Sequence, residues 1–185
     1  MEHRLHLPLD ESTVKRLHVG DIIYVNGLLC TLRDRGYKKL LSISKDEVSF
    51  SLDGKGVYHC GPLMKKNASG GWFPISAGPT TSNRMSSMIK GLLERYEVRL
   101  IIGKGLLDDS VNQILKENVS TYSVFTGGAG ALAATMIEGV DCVYWLDELG
   151  MTEAVWVLRV KDFGPLVVSM DAHGESLYKK KKLIT

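Results

Sequence analysis

The run Ser76-Ala77-Gly78-Pro79-Thr80-Thr81-Ser82-Asn83-Arg84 sets several hydroxyls and a guanidinium just ahead of a helical pattern. The unpaired N–H groups at a helix start, with the positive end of the helix dipole, attract anions. Arg84, four residues past Thr80, lies near the same helix end and can grip a carboxylate with two parallel bonds. Ordinary capping of the helix by Thr81 or Ser82 accounts for the same residues, and spacing alone leaves both readings open. Two further cations stand at the ends of strand patterns, where α/β folds place their ligands. These are Arg33 in Thr31-Leu32-Arg33-Asp34 and Lys104 in Ile101-Ile102-Gly103-Lys104-Gly105. The glycines flanking Lys104 let the backbone approach a ligand, whereas simple pairing with Asp34 or Asp108 is the alternative for the two cations. Three cations and a hydroxyl-rich turn in one small domain point to a dianionic small substrate such as a dicarboxylate.

Other constellations carry less. Gly127-Gly128-Ala129-Gly130 lacks the lysine of a phosphate loop and the full dinucleotide fingerprint, so close helix–sheet packing is its expected use. His3, His6, His18, His59 and His173 are scattered without metal-ligand spacing, and Cys30, Cys60 and Cys142 form no CxxC pair. No metal site is expected on this chain. Asp147 and Glu148 are neighbours, and on an extended segment they would point to opposite sides, a poor arrangement for an acid–base pair.

The elements that must hold these residues follow from periodicity. The opening third reads as β-rich: residues 22–25 form a strand that stops at Asn26-Gly27, and residues 28–32 return as the second arm of a hairpin. A short helix over 35–44, strands over 48–52 and 57–60, and a loop over 67–76 pinned by Trp72 and Phe73 follow. From Asn83 a helix, a strand over 98–102, a helix over 106–117, a strand over 121–125, a helix over 130–136 and a strand over 140–145 succeed one another. That rhythm implies a partly parallel sheet with crossover helices. Residues 154–160 and 166–170 close the chain as two strands before a turn.

The chain's 185 residues make one domain, with a core over about 20–175 and a basic tail over 179–185. At 44% hydrophobic and 24% charged residues, with no apolar run long enough for a membrane span, it is expected to be a soluble cytoplasmic protein that does not bind membranes. A net charge of +2 does not call for a polyanion, and the Lys179 to Lys182 run, without interleaved aromatics, reads as a solvated tail and not a nucleic-acid site.

The run from Ser76 to Thr81 continuing to Arg84-Met85 occurs in order with Gly20-Asp21, Thr31-Leu32-Arg33-Asp34, Cys60-Gly61-Pro62, Gly103-Lys104-Gly105, Gly127-Gly128, Leu149-Gly150-Met151 and Glu153-Ala154-Val155-Trp156. Together these resemble the β subunit, or C-terminal domain, of class I fumarases and L-tartrate dehydratases. The resemblance implies a swivelling β/β/α domain: a mixed sheet or barrel-like β core with flanking helices, similar to the mobile domain of aconitase. It implies a partner α subunit whose cysteines hold a four-iron four-sulfur cluster, none of it bound by this chain, in an α2β2 heterotetramer. The activity implied is reversible hydration of fumarate to L-malate, as in the tricarboxylic acid cycle, with the α subunit required. L-Tartrate or another hydroxy-diacid is the alternative substrate, and a non-catalytic anion-binding module of the same fold is the alternative role. By the same resemblance Thr80 is the catalytic proton-transfer group, while Arg33, Thr81, Arg84 and Lys104 bind substrate. The family commonly carries Ala-His after Arg-Asp, and this chain has Arg35-Gly36-Tyr37 instead. A lone subunit is expected to leave Thr80 and Arg84 facing solvent.

Overall fold

Successive strand residues face opposite sides of a sheet, so a strand covered on both sides must be apolar at nearly every position. In the computed structural model, which describes residues 1–178, those two sides go to two cores. Leu29, Tyr58, Leu100, Ile102, Trp156 and Leu158 enter one, while their neighbours Cys30, Val57, Ile101, Val155 and Val157 enter the other. The basic run 179–182 lies outside the described residues.

The chain runs β1 (Glu2–His6), α1 (Glu11–Lys15), β2 (Ile22–Thr31), α2 (Asp34–Ser42), β3 (Gly56–Tyr58), β4 (Leu63–Lys66), β5 (Trp72–Ser76), α3 (Ser86–Arg95) and β6 (Leu100–Gly103). It continues through α4 (Ser110–Glu117), β7 (Thr121–Phe125), α5 (Gly130–Thr135), β8 (Ile137–Tyr144), α6 (Leu146–Leu149) and β9 (Val155–Met170). The large sheet has the order β1-β2-β3-β6-β7-β9-β8, and β2 also pairs with β9, so β2, β3, β6, β7 and β9 close into a barrel. The first four of these are mutually parallel, and β9 is antiparallel to both its neighbours β2 and β7. Phe163 of β9 meets Tyr58 of β3 and Phe125 of β7, at centroid distances of 5.2 and 5.3 Å, so rings from three strands converge inside the barrel. Outside it, Leu40 of α2, Ile89 and Leu92 of α3 and Val111 and Leu115 of α4 cover the second core. The barrel-like β core with flanking helices is therefore the architecture the sequence implied.

Several local expectations are corrected. Asn26-Gly27 does not end a hairpin but sits inside β2, where the ladder to β9 slips its register between Ile23 and Val25 and again between Val25 and Gly27. Gly27 has φ +116, and a Cβ there would lie 2.9 Å from that of Leu7, so this glycine marks a bulge crossed by another segment and not a turn. Residues 48–52 form no strand: Phe50 stacks on Tyr144 and edges Trp145, so packing and not a ladder uses their apolarity. The expected loop over 67–76 holds for its first half, a turn over 67–71, while its second half is a strand, β5, pairing antiparallel with β4. The two final strands are one 16-residue strand, whose Pro165 falls between the stretch paired with β8 and that paired with β7, where its missing N–H costs no ladder bond. Asp147 and Glu148 lie on α6 and not on an extended segment, and Glu148 is paired with Lys39.

Register places the site. Thr31 pairs with Tyr58, Tyr58 with Ile102 and Ile102 with Ser123, so these four stand level on parallel strands. The residues just beyond them, Arg33, Cys60-Gly61, Lys104 and Gly127, must emerge on one rim.

Candidate active site at the barrel rim

The run from Ser76 to Ser82 is laid across that rim by its backbone. Thr80 N–H donates to the His59 carbonyl at 2.7 Å, Ser82 N–H donates to the Lys104 carbonyl at 3.0 Å, and Ala77 N–H donates to the Gly130 carbonyl at 2.9 Å. The Tyr58 hydroxyl donates to the Ala77 carbonyl at 2.6 Å from below. Glycines make these approaches possible. A Cβ at Gly130 would lie 2.4 Å from Ser76 Oγ, and one at Gly103 would lie 1.8 Å from Ser82 Oγ. Gly127 has Lys104 Cδ at 3.2 Å from its virtual Cβ. Gly127 and Gly130 thus pack closely, but against Lys104 and the hydroxyl-rich loop and not between helix and sheet, while a Cβ at Gly128 would meet nothing within 4 Å.

The hydroxyls do not cap the helix. Neither Thr81, at the start of the 3-10 turn Ser82–Met85, nor Met85, at the start of α3, makes a side-chain capping bond. Ser82 Oγ instead meets His59 Nδ1 at 2.8 Å and accepts the Lys104 N–H at 3.2 Å. Thr80 Oγ1 accepts from Arg84 Nη2 at 3.0 Å. Arg84 turns its Nε and Nη2 onto the two oxygens of Asp34, each at 2.9 Å. Those bonds from Arg84 are the main reason the Asp34 carboxyl is held below its ordinary range, and Asp34 in return raises Arg84. A guanidinium donating to a hydroxyl oxygen stabilises that oxygen when it gives up its proton. Thr80 is half-buried and Arg84 retains 45% side-chain exposure, so neither is sealed in the core.

Arg33 pairs not with Asp34 but with Glu153, at 3.3 Å from Nη2. Glu153 also accepts the Arg35 N–H at 2.9 Å and so anchors the first turn of α2. Arg33 Nε is buried without a partner. Lys104 is half-buried and has no ion-pair partner among the described residues, so the expected alternative, Asp108, does not take it. Thr81 is exposed beside Lys104, to which it is bridged by backbone pairing. All five residues singled out in the sequence therefore stand on one rim. Sequence reasoning missed Glu153 and the pair His59 and Tyr37. The Tyr37 hydroxyl meets His59 Nε2 at 2.9 Å.

A Cβ at Gly61 would lie 2.3 Å from Arg33 Nη1 and 2.6 Å from the Thr152 carbonyl. Gly61→Ala is expected to displace the Arg33 guanidinium and raise KM for the anionic substrate about tenfold or more, with far-UV circular dichroism unchanged. Unchanged KM would detach Arg33 from the site.

Residues 2–181 match the family model described as Fumarase C-terminus. The L(+)-tartrate dehydratase subunit beta of Escherichia coli K12 is 38% identical over 182 residues, covering 98% of this chain and 89% of that one. A Methanocaldococcus jannaschii chain provisionally named as the same subunit is 41% identical over 174 residues, covering 93% of this chain and 89% of its own length. A Geobacillus stearothermophilus protein provisionally named fumarate hydratase class I is 39% identical over 175 residues, which are 95% of this chain but 33% of that protein. Matched over nearly its whole length, this chain belongs to the Fumarase C-terminus family.

Proposed function

We propose that this chain is the β subunit of a hydro-lyase that reversibly hydrates fumarate to L-malate at a site completed by an α subunit. The observation that carries the reading is the arrangement around Thr80: a hydroxyl that accepts from Arg84, with Arg33, Thr81 and Lys104 on the same rim. In the proposed mechanism Arg33, Arg84 and Lys104 hold the two carboxylates, Thr81 adds a hydroxyl contact, and Thr80 Oγ moves the proton at the carbon next to the one that carries hydroxyl. Arg84, by donating to that oxygen, makes a threonine serviceable in a role its unassisted hydroxyl would fill poorly.

Clusters of iron and sulfur are held by thiolates. Cys30 and Cys60 are buried here, and burial pushes the Cys30 thiol up to about 12 and raises that of Cys60 as well. Among the described residues no three His, Cys, Asp or Glu side chains are grouped to hold a metal. This chain's own residues do not fit the four-iron four-sulfur cluster, which the proposal assigns to the α subunit, and no step above is routed through it. The partner is supported by surface chemistry as well. Leu63, Ile75, Leu106 and Leu132 are exposed, and each stands one or two residues from a loop of the rim, with Phe73 exposed on the same face as Ile75. Apolar side chains ringing a polar, cationic centre suit a face covered by another polypeptide. In the longer Geobacillus relative the matching stretch is one third of a single chain. We assign an α2β2 assembly and the cytoplasm, whose reducing conditions suit the exposed free thiol of Cys142. No helix among the described residues is long and apolar enough to cross a membrane.

A second reading, L-tartrate as substrate, is favoured by the names of the E. coli and M. jannaschii relatives. The two diacids differ in hydroxyl groups, which a single hydrogen-bonding residue can discriminate. Anaerobic assay of this chain mixed with its iron–sulfur α subunit is expected to show fumarate hydration exceeding L-tartrate dehydration in kcat/KM. The reverse order would rename the substrate, and turnover of neither by an intact complex would leave an anion-binding module.

A further inference from the structure

We propose that His59 is a positioning residue: its buried ring, bonded to Tyr37 on one side and Ser82 on the other, holds the Thr80 turn and the Lys104 loop at the spacing catalysis needs. The inference rests on the hydro-lyase reading and deepens it.

The ring lies just past β3, wholly buried. The Tyr37 hydroxyl is also wholly buried and has His59 Nε2, at 2.9 Å, as its one hydrogen-bond partner among the described residues. A buried phenol must place its proton, so Tyr37 donates and Nε2 accepts. The tautomer assigned by that satisfaction leaves Nδ1–H to donate to Ser82 Oγ at 2.8 Å. The same oxygen accepts the Lys104 N–H at 3.2 Å. Beside it the Tyr122 hydroxyl donates to the Gly105 carbonyl at 2.9 Å. His59 supplies its backbone too, since its carbonyl takes the Thr80 N–H at 2.7 Å and its N–H reaches the Ile102 carbonyl at 2.8 Å. Through its ring and its backbone, one residue thus ties α2, β6, the Thr80 turn and the Lys104 backbone together by hydrogen bonds.

Burial pushes the imidazole down to about 3, so the ring stays neutral and keeps one donor and one acceptor throughout the working pH range. The tight fit is visible from the neighbouring strand. A Cβ at Gly103 would stand 3.1 Å from His59 Nδ1 as well as overlapping Ser82 Oγ. A group needed only to fill space would be apolar, because buried polar atoms are costly unless every one is paired. Ser82 leads to the Lys104 backbone, and Tyr37 donates its own N–H to the Arg33 carbonyl at 2.8 Å.

The test compares His59→Leu with the double variant His59→Asn/Tyr37→Phe in the assembled enzyme. Leucine fills the volume and makes no hydrogen bond; the asparagine amide keeps a donor near the place of Nδ1, and phenylalanine removes the stranded phenol. Positioning predicts that His59→Leu lowers kcat/KM about 100-fold, with both KM and kcat affected, while the double variant stays within about tenfold of wild type. Space-filling predicts the opposite order, and that order would overturn the proposal. Amide hydrogen exchange on the chain without its partner supplies a readout that needs no turnover: Ser82 and Lys104 amides should exchange faster in His59→Leu and keep their protection in the double variant. Unchanged protection in His59→Leu would also overturn it. If the wild-type complex turns over no diacid, the hydro-lyase reading fails, and the exchange result still decides whether His59 holds the two loops.

Discussion

Replacing Thr80 by alanine in the assembled enzyme is expected to lower kcat for fumarate about 10³-fold, inside the 10² to 10⁴ that a positioned proton-transfer group contributes. KM should move little, because the cations remain. The substitution removes Oγ1, the acceptor of the 3.0 Å bond from Arg84, but leaves the backbone N–H of residue 80 on the His59 carbonyl and Arg84 on Asp34. Association with the α subunit, followed by co-elution, should therefore match wild type, and so should the melting temperature within a few degrees. Thr80→Ser retains an oxygen that Arg84 can reach and should keep a substantial part of the rate. Full activity in Thr80→Ala would remove the threonine from the chemistry and turn attention to a group on the partner.

The parts of this arrangement that the sequence revealed are those whose chemistry is local. The hydroxyl-rich run, the arginine after Leu32 and the lysine between two glycines declare themselves by residue type. The regular alternation of β-branched strands with amphipathic helices from Asn83 to Phe125 follows from periodicity, and α3, β6, α4 and β7 lie where it places them. What sequence could not give was anything set by sheet closure. Asn26-Gly27 has the composition of a hairpin turn, yet its glycine serves a bulge where Leu7 crosses β2. The Leu166 to Met170 stretch and the Ala154 to Val160 stretch look separate because Pro165 interrupts them, although a strand can carry proline where it changes partners. Glu153 sits 120 residues from Arg33 in sequence and meets it only because β9 lies antiparallel to β2. His59 had no metal-like spacing and so seemed idle, since nothing in the sequence tells that its ring would lie between Tyr37 and Ser82.

Arg84→Lys separates the site's electrostatics from its stability. Lysine keeps the charge but presents a point donor, so it cannot reproduce the two-pronged grip on Asp34 together with the bond to Thr80. With Arg84 45% and Asp34 28% exposed, solvent screens the pair, and its net contribution to folding is about 0 to 1 kcal/mol. The melting temperature should accordingly fall by only a few degrees. Catalysis should suffer more: kcat/KM about 30- to 100-fold lower, corresponding to roughly 2 to 3 kcal/mol of lost charge-assisted contacts in the closed complex. The pH dependence has a defined sign. The Asp34 carboxyl is held below its ordinary value chiefly by the hydrogen bonds from Arg84, so the stabilisation is fully present above the ordinary carboxylate range and is lost as pH falls through the lowered value. Wild type should therefore hold Arg84 in place throughout the neutral range and release it only in acid, whereas Asp34→Asn should show the same kinetics at neutral pH that wild type approaches at its acid limit. If Arg84→Lys lost stability and activity in equal measure, or if Asp34→Asn matched wild type at every pH, the guanidinium would be a structural strut and the polarisation of Thr80 would need another source.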